Sequence, residues 1–176
     1  MAAYYHSTEG RGAEALRRID LAFSEARIVL DARDLILLNT RRLRSLVLDN
    51  LGRRDDALAE IDAFVPIQAE VLGERHADVL ATRHLRARVL DDLGRHDEAL
   101  AAIDAFDPIQ AVVLGERHPY VLATRWLRAR VLTNLGRHHD ALAAIDGYAP
   151  SEAEVPRERQ PTCRRPDPCA PACSTT

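Results

Sequence analysis

The sequence predicts an all-α protein built as a solenoid, in which similar helix pairs stack on one another along the chain. Three observations predict this fold class. A block of residues repeats without gaps, apolar residues within each block recur at helical spacing, and a Leu-Gly-Arg turn separates two helical segments in each block. An isolated helix pair of this kind leaves apolar faces uncovered, so neighbouring pairs must share a continuous core.

The repeat is clearest in the segment VLGERH, which occurs at 71–76 and again at 113–118, an offset of 42 residues. Segments that begin at Thr40, Thr82 and Thr124 align in the same register. Weaker matches that begin at Gly10-Arg11 indicate a degenerate unit that lacks most of its first helix. We therefore expect one repeat array over residues 1–154. Its predicted parts are a partial unit at 1–30 and units at about 31–72, 73–114 and 115–154.

The middle unit illustrates how each unit is predicted to fold into two helices. The first helix should run from about Ala77 to Leu93, and Gly94 should form its C-terminal cap. The second helix should begin near His96 and end near Leu114. Its apolar residues lie three and four positions apart, as expected for one buried helical face.

Prolines occupy one shared position inside the second helices: Pro66, Pro108 and Pro150. Proline lacks the N–H that closes the bond four residues back, and it disfavours α geometry in the residue before it. We therefore expect a kink or break near residues 105–108 and at the equivalent positions. Pro119 differs, because it lies in the first turn of a helix, where the missing N–H is harmless.

Composition and charge exclude several classes of protein. With 47% hydrophobic residues the chain can bury a core, and its net charge of -3 gives no general attraction to nucleic acid or anionic membranes. It has no apolar run of membrane-spanning length, and MAAYYHSTEG at its start lacks the pattern of a secretory signal. We expect a cytoplasmic protein with a disordered, proline-rich tail at 155–176. Cys163, Cys169 and Cys173 in that tail are too few for a closed zinc site.

The segment from Leu114 to Asp146, LGERHPYVLATRWLRARVLTNLGRHHDALAAID, resembles the tetratricopeptide repeat (TPR). It is similar to the 42-residue, kinesin-light-chain-type variant found in many bacterial regulators and signalling ATPases. The matching features are the LGxxHP link, Ala129, the Leu-Gly-Arg turn and Ala141. The resemblance extends over roughly residues 10–154. It implies a right-handed α-superhelix whose concave face, lined by the first helices, binds peptide segments of other proteins.

Candidate binding residues lie on the polar face of the first helices, opposite the apolar arc. Positions that differ between units are the ones expected to recognise a ligand, whereas invariant positions serve the scaffold. The most variable position reads Arg42, His84 and Trp126, and the position one turn further reads Leu46, Arg88 and Arg130. The predicted partner-binding set is Arg42, His84, Trp126, Arg88, Arg130, Asn50, Asp92 and Asn134.

Two interpretations of this face remain open. In the first, Trp126 is a stacking platform and the arginines form guanidinium forks for the carboxylates of an acidic peptide. In the second, the face is solvated and Trp126 is tucked between neighbouring helices. The first interpretation predicts that replacing Trp126 or Arg130 by Ala weakens binding with little loss of folding stability.

Other recurring polar residues are predicted to be structural. One set of arginines falls within the apolar arc, so their stems should pack on leucines while their heads pair with second-helix carboxylates such as Asp104 and Asp146. This set is Arg83, Arg86, Arg125 and Arg128. Histidines also recur at scaffold positions, and His139 beside His138 is the one addition, so we predict no metal site.

No motif of a known catalytic type is present, so we predict neither an enzyme nor a cofactor-binding protein. The favoured function is an interaction module that binds a partner peptide or protein in its concave groove. An alternative is a regulatory or sensor fragment of a larger signalling ATPase or transcription regulator. Self-association through uncapped array ends is a third hypothesis.

Overall fold

The structure is a computed structural model that describes the backbone of residues 2–146 and the side chains of residues 11–145. Within these limits it contains α-helices and no strand, which confirms the predicted all-α class. The helices are α1 (Ala2–Val29), α2 (Leu35–Asn50), α3 (Arg54–Leu72), α4 (Ala77–Asp92), α5 (His96–Leu114), α6 (Pro119–Asn134) and α7 (His138–Asp146).

The helices form a solenoid, as predicted. Each helix packs against the helices before and after it in the chain, so the order in space follows the order in sequence. The first helices α2, α4 and α6 also contact one another in turn. The pairs α2/α3, α4/α5 and α6/α7 correspond to the three predicted units. The predicted tail at 155–176 lies outside the described residues.

The N-terminal helix α1 differs from the predicted partial unit. Gly10-Arg11 aligns with the Gly-Arg turn that precedes α3, yet α1 continues through this point from Ala2 to Val29 as one helix. Glycine permits a turn but does not impose one. Ala2, Ala3 and Glu9 are good helix formers and favour continuation of the helix on the N-terminal side.

Each first helix begins at a side-chain cap in the same repeat position. The carboxylate of Asp34 caps α2 by accepting a hydrogen bond from the N–H of Ile36 at 2.8 Å. His76 and His118 cap α4 and α6, and in each case Nδ1 accepts the backbone N–H two residues later at 3.2 Å. These contacts confirm the structural role predicted for the two recurring histidines of the link.

Each first helix ends at a glycine with left-handed backbone geometry. Gly94 follows α4 with φ of 78°, and its N–H donates to the carbonyl of Asp91 at 2.9 Å. The next N–H, that of Arg95, donates to the carbonyl of Leu90 at 2.9 Å. This pair of bonds is a Schellman motif, which satisfies the last helical carbonyls and reverses the chain into α5. The cap predicted at Gly94 is confirmed.

The prolines do not break the second helices, so of the predicted kink or break the break is excluded. Helix α3 is continuous through Pro66, and α5 is continuous through Pro108. Both prolines are exposed, so the carbonyl that loses its N–H partner lies on the solvent side, where water can bond it. Buried apolar residues next to each proline hold the helix in place. The third proline, Pro150, lies outside the described residues.

The core is built from equivalent residues of successive units. Ile61 and Phe64 of α3 are fully buried, and so are their equivalents Ile103 and Phe106 of α5. Burial of a side chain of this size contributes about 1.5 to 3 kcal/mol. The buried face of α4 contains Leu85 and further predicted apolar residues, which confirms the predicted apolar arc.

Candidate functional site

The most variable position of the first helices places Arg42 on α2, His84 on α4 and Trp126 on α6. Their accessibilities differ. Arg42 and His84 are half-buried, whereas Trp126 is 63% exposed. The three side chains therefore do not form a uniformly open row, because the unit that follows covers part of the two inner positions.

His84 belongs to a polar link between the second and third units. Its Nδ1 lies 2.9 Å from Thr124 Oγ1, and that hydroxyl donates to Gln110 Oε1 at 2.8 Å. Because the single hydroxyl proton goes to Gln110, the Nδ1–H of His84 is the donor to Thr124. Burial, together with the nearby charges of Arg88 and Arg130, lowers the pKa of His84 to about 4. A neutral imidazole at pH 7 provides no charge for an acidic ligand.

Arg88 and Arg130 are paired with carboxylates of the preceding unit. Arg88 Nη2 lies 2.6 Å from Asp49 Oδ2 on α2. Arg130 Nε lies 2.7 Å from Asp91 Oδ2, and its Nη2 lies 3.0 Å from Asp92 Oδ1. Each pair joins one first helix to the next. Arg130 is therefore not a free solvent-facing side chain, and its replacement should lower folding stability, contrary to the expectation of little loss.

Asp91 is the centre of the junction between the second and third units. Its side chain is only 1% exposed, and a buried carboxylate is stable only when its oxygens have partners. Besides Arg130, His96 Nδ1 lies 2.7 Å from Oδ1, and Asn134 Nδ2 donates to the same oxygen at 3.0 Å. The predicted site residue Asn134 thus faces a carboxylate of its own chain.

Trp126 lies on the open side of the last described unit. The guanidinium carbon of Arg130 lies 5.5 Å from the centre of the indole ring, within the range of a cation–π contact. Beside the indole is a pocket of about 200 Å³ whose apolar lining includes Leu122 and Ile145. Trp126 is not tucked between two described helices, since most of its surface is accessible.

Arg42 is the predicted site cation that has no ion pair with another described residue. Its Nε is buried and has no hydrogen-bond partner among these residues. Asn50 and Asn134 are exposed at the ends of α2 and α6, and Asp92 is exposed at the end of α4. The first helices therefore bring together one unpaired arginine, exposed amides and an indole, arranged around a set of internal ion pairs.

The arginines assigned to the scaffold all have carboxylate partners, and most of these lie on second helices as predicted. Arg86 Nε lies 2.6 Å from Asp62 Oδ1, and Arg128 Nη2 lies 3.0 Å from Asp104 Oδ1. In both cases the arginine reaches the second helix of the preceding unit. Arg83 pairs with Glu74 of the link between units, whereas Arg125 lies near both Glu116 of the next link and Asp107 of the second helix α5. The side chain of Asp146 lies outside the described residues.

The structural importance of Asp49 and Asp91 was not predicted from the sequence. Their spacing contains the signal, because each acid lies 39 residues before an arginine of the following first helix. This offset is three residues short of the repeat, or nearly one helical turn, and it places each acid beside the next unit's arginine. A helix projected in isolation shows only its own polar face and cannot show which neighbour covers it.

The described residues contain no group of three or more His, Cys, Asp or Glu side chains arranged to hold a metal ion. Cys163, Cys169 and Cys173 are not among the residues described. Within the same part of the chain, no helix is long and apolar enough to cross a membrane.

Comparison with solved structures shows that the fold is that of a TPR-like repeat solenoid. One match is a single-substitution form of a candidate kinesin light chain from Podosopora anserina with nearly identical TPR-like repeats, at a TM-score of 0.69 and 23% identity. A second structure of such a protein from the same organism matches at a TM-score of 0.66 and 24% identity. Each alignment covers 82% of this chain and 68% of the other. No family model matches the sequence, and neither does any curated protein.

Proposed function

We propose that the protein is an interaction scaffold that binds a peptide or protein partner along its first helices. The observation that supports this most directly is the arrangement of α2, α4 and α6, which contact one another in turn and form one continuous surface. Exposed positions on that surface differ between units, so each unit presents different chemistry. A repeated fold whose surface residues vary between units is suited to binding an extended ligand at several separate positions.

The accessible side chains define the ligand chemistry that the surface favours. Among the three predicted site arginines, Arg42 is the one without a described carboxylate partner, so an acidic group of the ligand is proposed to bind at the first complete unit. Trp126, two units further on, offers an indole face for a large apolar side chain. Arg88 and Arg130 act mainly through the carboxylates that they already contact. The proposed ligand is a peptide with an acidic group and one large apolar residue.

The experiment is peptide-array selection on the immobilised 176-residue chain, followed by titration of the selected peptides. Arg42→Ala and Trp126→Ala should each weaken binding by about 1 to 3 kcal/mol, as expected for hot-spot residues. Both variants should keep the helical circular dichroism of the parent.

Matched control variants distinguish binding at this surface from nonspecific adsorption of the peptides. Arg17→Ala removes an exposed arginine from α1, and Val112→Ala trims an 82% exposed side chain of α5. Both controls should bind the peptides like the parent. The proposal fails if the controls weaken binding as much as the groove variants do, or if acidic residues are not enriched among the selected peptides.

A further inference from the structure

The third unit exposes residues that the inner units bury. Leu38 and Leu80 are 1% and 0% exposed, whereas Leu122 in the same repeat position is 43% exposed. On the second helices, Ile61 and Ile103 are fully buried, whereas Ile145 is 51% exposed. Leu122 and Ile145 therefore expose apolar surface to water, which is unfavourable in free energy unless another molecule covers it.

The inner units show what covers these positions. A first helix of the next unit packs against both helices of the unit before it, as α6 packs on α4 and α5. Thr124 of that covering helix lies against His84, and Arg130 pairs with Asp91. The same face of the third unit has Leu122, Trp126 and Ile145 around a pocket of about 200 Å³, with no described helix upon it.

We propose that this face, defined by Leu122, Trp126 and Ile145, binds an amphipathic α-helix of another protein in the position of a further first helix. The face continues the internal interface, so the bound helix would supply an apolar stripe as α4 and α6 do. One feature differs from the inner junctions. Thr133 occupies the repeat position of Asp49 and Asp91, so the bound helix need not place an arginine there.

Two other occupants fit the face less well. In a second copy of the chain, the first helices α2, α4 and α6 are already packed in their own array and are not free to dock. Residues 147–176 contain one valine and no leucine, isoleucine or phenylalanine, so their sequence provides no apolar stripe. An amphipathic helix of a partner protein supplies the apolar stripe that this face requires.

The test uses the full chain and a synthetic peptide of residues 76–93, which spans α4 and contains no tryptophan. Trp126 is the single tryptophan of the protein and lies on the face, so its emission should shift to the blue and saturate as the peptide binds. Ile145→Asp should weaken binding by roughly tenfold or more. Val112→Asp, which changes a still more exposed side chain on α5 (82% against 51% for Ile145), should leave binding unchanged.

A gain-of-affinity variant tests the register of the bound helix. Thr133→Asp restores the carboxylate of the inner junctions, so Arg88 of the peptide should pair with it as Arg88 pairs with Asp49 in the protein. Binding should tighten by roughly tenfold, the usual scale of a charge-assisted pair. A peptide with Arg88→Gln should lose this gain. Thr133 is exposed, so the variant should fold like the parent.

Three results would overturn the proposal. The first is a peptide that leaves Trp126 emission unchanged, or that binds Ile145→Asp as well as the parent. The second is self-association in sedimentation that Ile145→Asp abolishes, since a second copy would then be the occupant. The third is a red shift of Trp126 emission after deletion of residues 147–176, since the chain would then cover its own face. Arg42→Ala should leave docking intact, which separates this proposal from the binding surface of the first helices.

Discussion

At the scale of single residues, the junctions between units depend on buried acids. Asp49 and Asp91 have side chains that are 6% and 1% exposed, and each accepts from an arginine of the following first helix. A carboxylate in such a place is stable only because its partners replace the water that it loses. Polar residues that look available on an isolated helix therefore hold the array together.

Replacing the buried Asp91 should destabilise the protein more than replacing its exposed neighbour Asp92. Asp91→Ala removes the shared partner of Arg130, His96 and Asn134, so the free energy of unfolding should fall by about 2 to 4 kcal/mol. Asp92→Ala removes one exposed contact and should cost less than about 1 kcal/mol. Urea unfolding of both variants measures the difference. Equal losses would show that Asp91 has no special role.

His84 should make stability depend on pH. Its pKa is lowered from 6.5 to about 4, so between these values the unfolded chain binds the proton and the folded protein does not. Stability from this group is therefore complete above pH 6.5 and falls as pH decreases towards 4, by up to about 2 to 3 kcal/mol.

His84→Gln keeps a donor for Thr124 but cannot titrate, so it should lose less stability than the parent between pH 7.5 and pH 4.5. Chemical denaturation at both pH values gives the comparison. His139→Gln changes an exposed histidine and serves as the control, whose pH profile should follow that of the parent. Parallel profiles for parent and His84→Gln would contradict the assignment.

At the scale of helices, local sequence rules predicted starts and ends better than interiors. The cap at Gly94 and the start of α5 at His96 were predicted correctly, because each depends on residues next to the boundary. The sequence predicted a kink or a break at Pro66 and Pro108, and no break occurs, because packing of the neighbouring buried face keeps each helix continuous. Here the free energy gained by burying the neighbouring apolar residues exceeds the local helix penalty of proline, which is all that sequence rules consider.

Because burial of neighbouring residues offsets the helix penalty of Pro108, removing this proline should stabilise the protein. Pro108→Ala restores an N–H that can bond the carbonyl of Asp104, on an exposed face where alanine meets no steric conflict. The free energy of unfolding should rise by about 1 to 3 kcal/mol, within the intrinsic helix penalty of proline. Thermal unfolding tests this, with the exposed Ala101→Gly in the same helix as an opposite control. A loss of stability in Pro108→Ala would show that the proline is needed for the path of α5.

At the scale of the molecule, the repeat predicted the solenoid but not which polar residues are free. A period of 42 residues specifies similar units and hence similar packing, so the fold followed from the sequence alone. The roles of Arg88 and Arg130 did not follow, because their partners lie 39 residues away on another helix. His84 is half-buried because the third unit packs against it. Trp126 is exposed because no described unit follows it.

The ion pairs between first helices also make the middle unit compatible with a copy of itself. This unit directs Arg88 backwards to Asp49 and presents Asp91 forwards to Arg130, so it contains both halves of the junction. A tandem duplication of residues 73–114 should therefore lengthen the array in register, with unchanged helicity per residue and a higher melting temperature. With Asp91→Thr in the inserted copy, as at Thr133, the gain should shrink. The array can therefore be lengthened at its centre by simple duplication, whereas the third unit has Thr133 in place of this acid and cannot supply the forward half of such a junction.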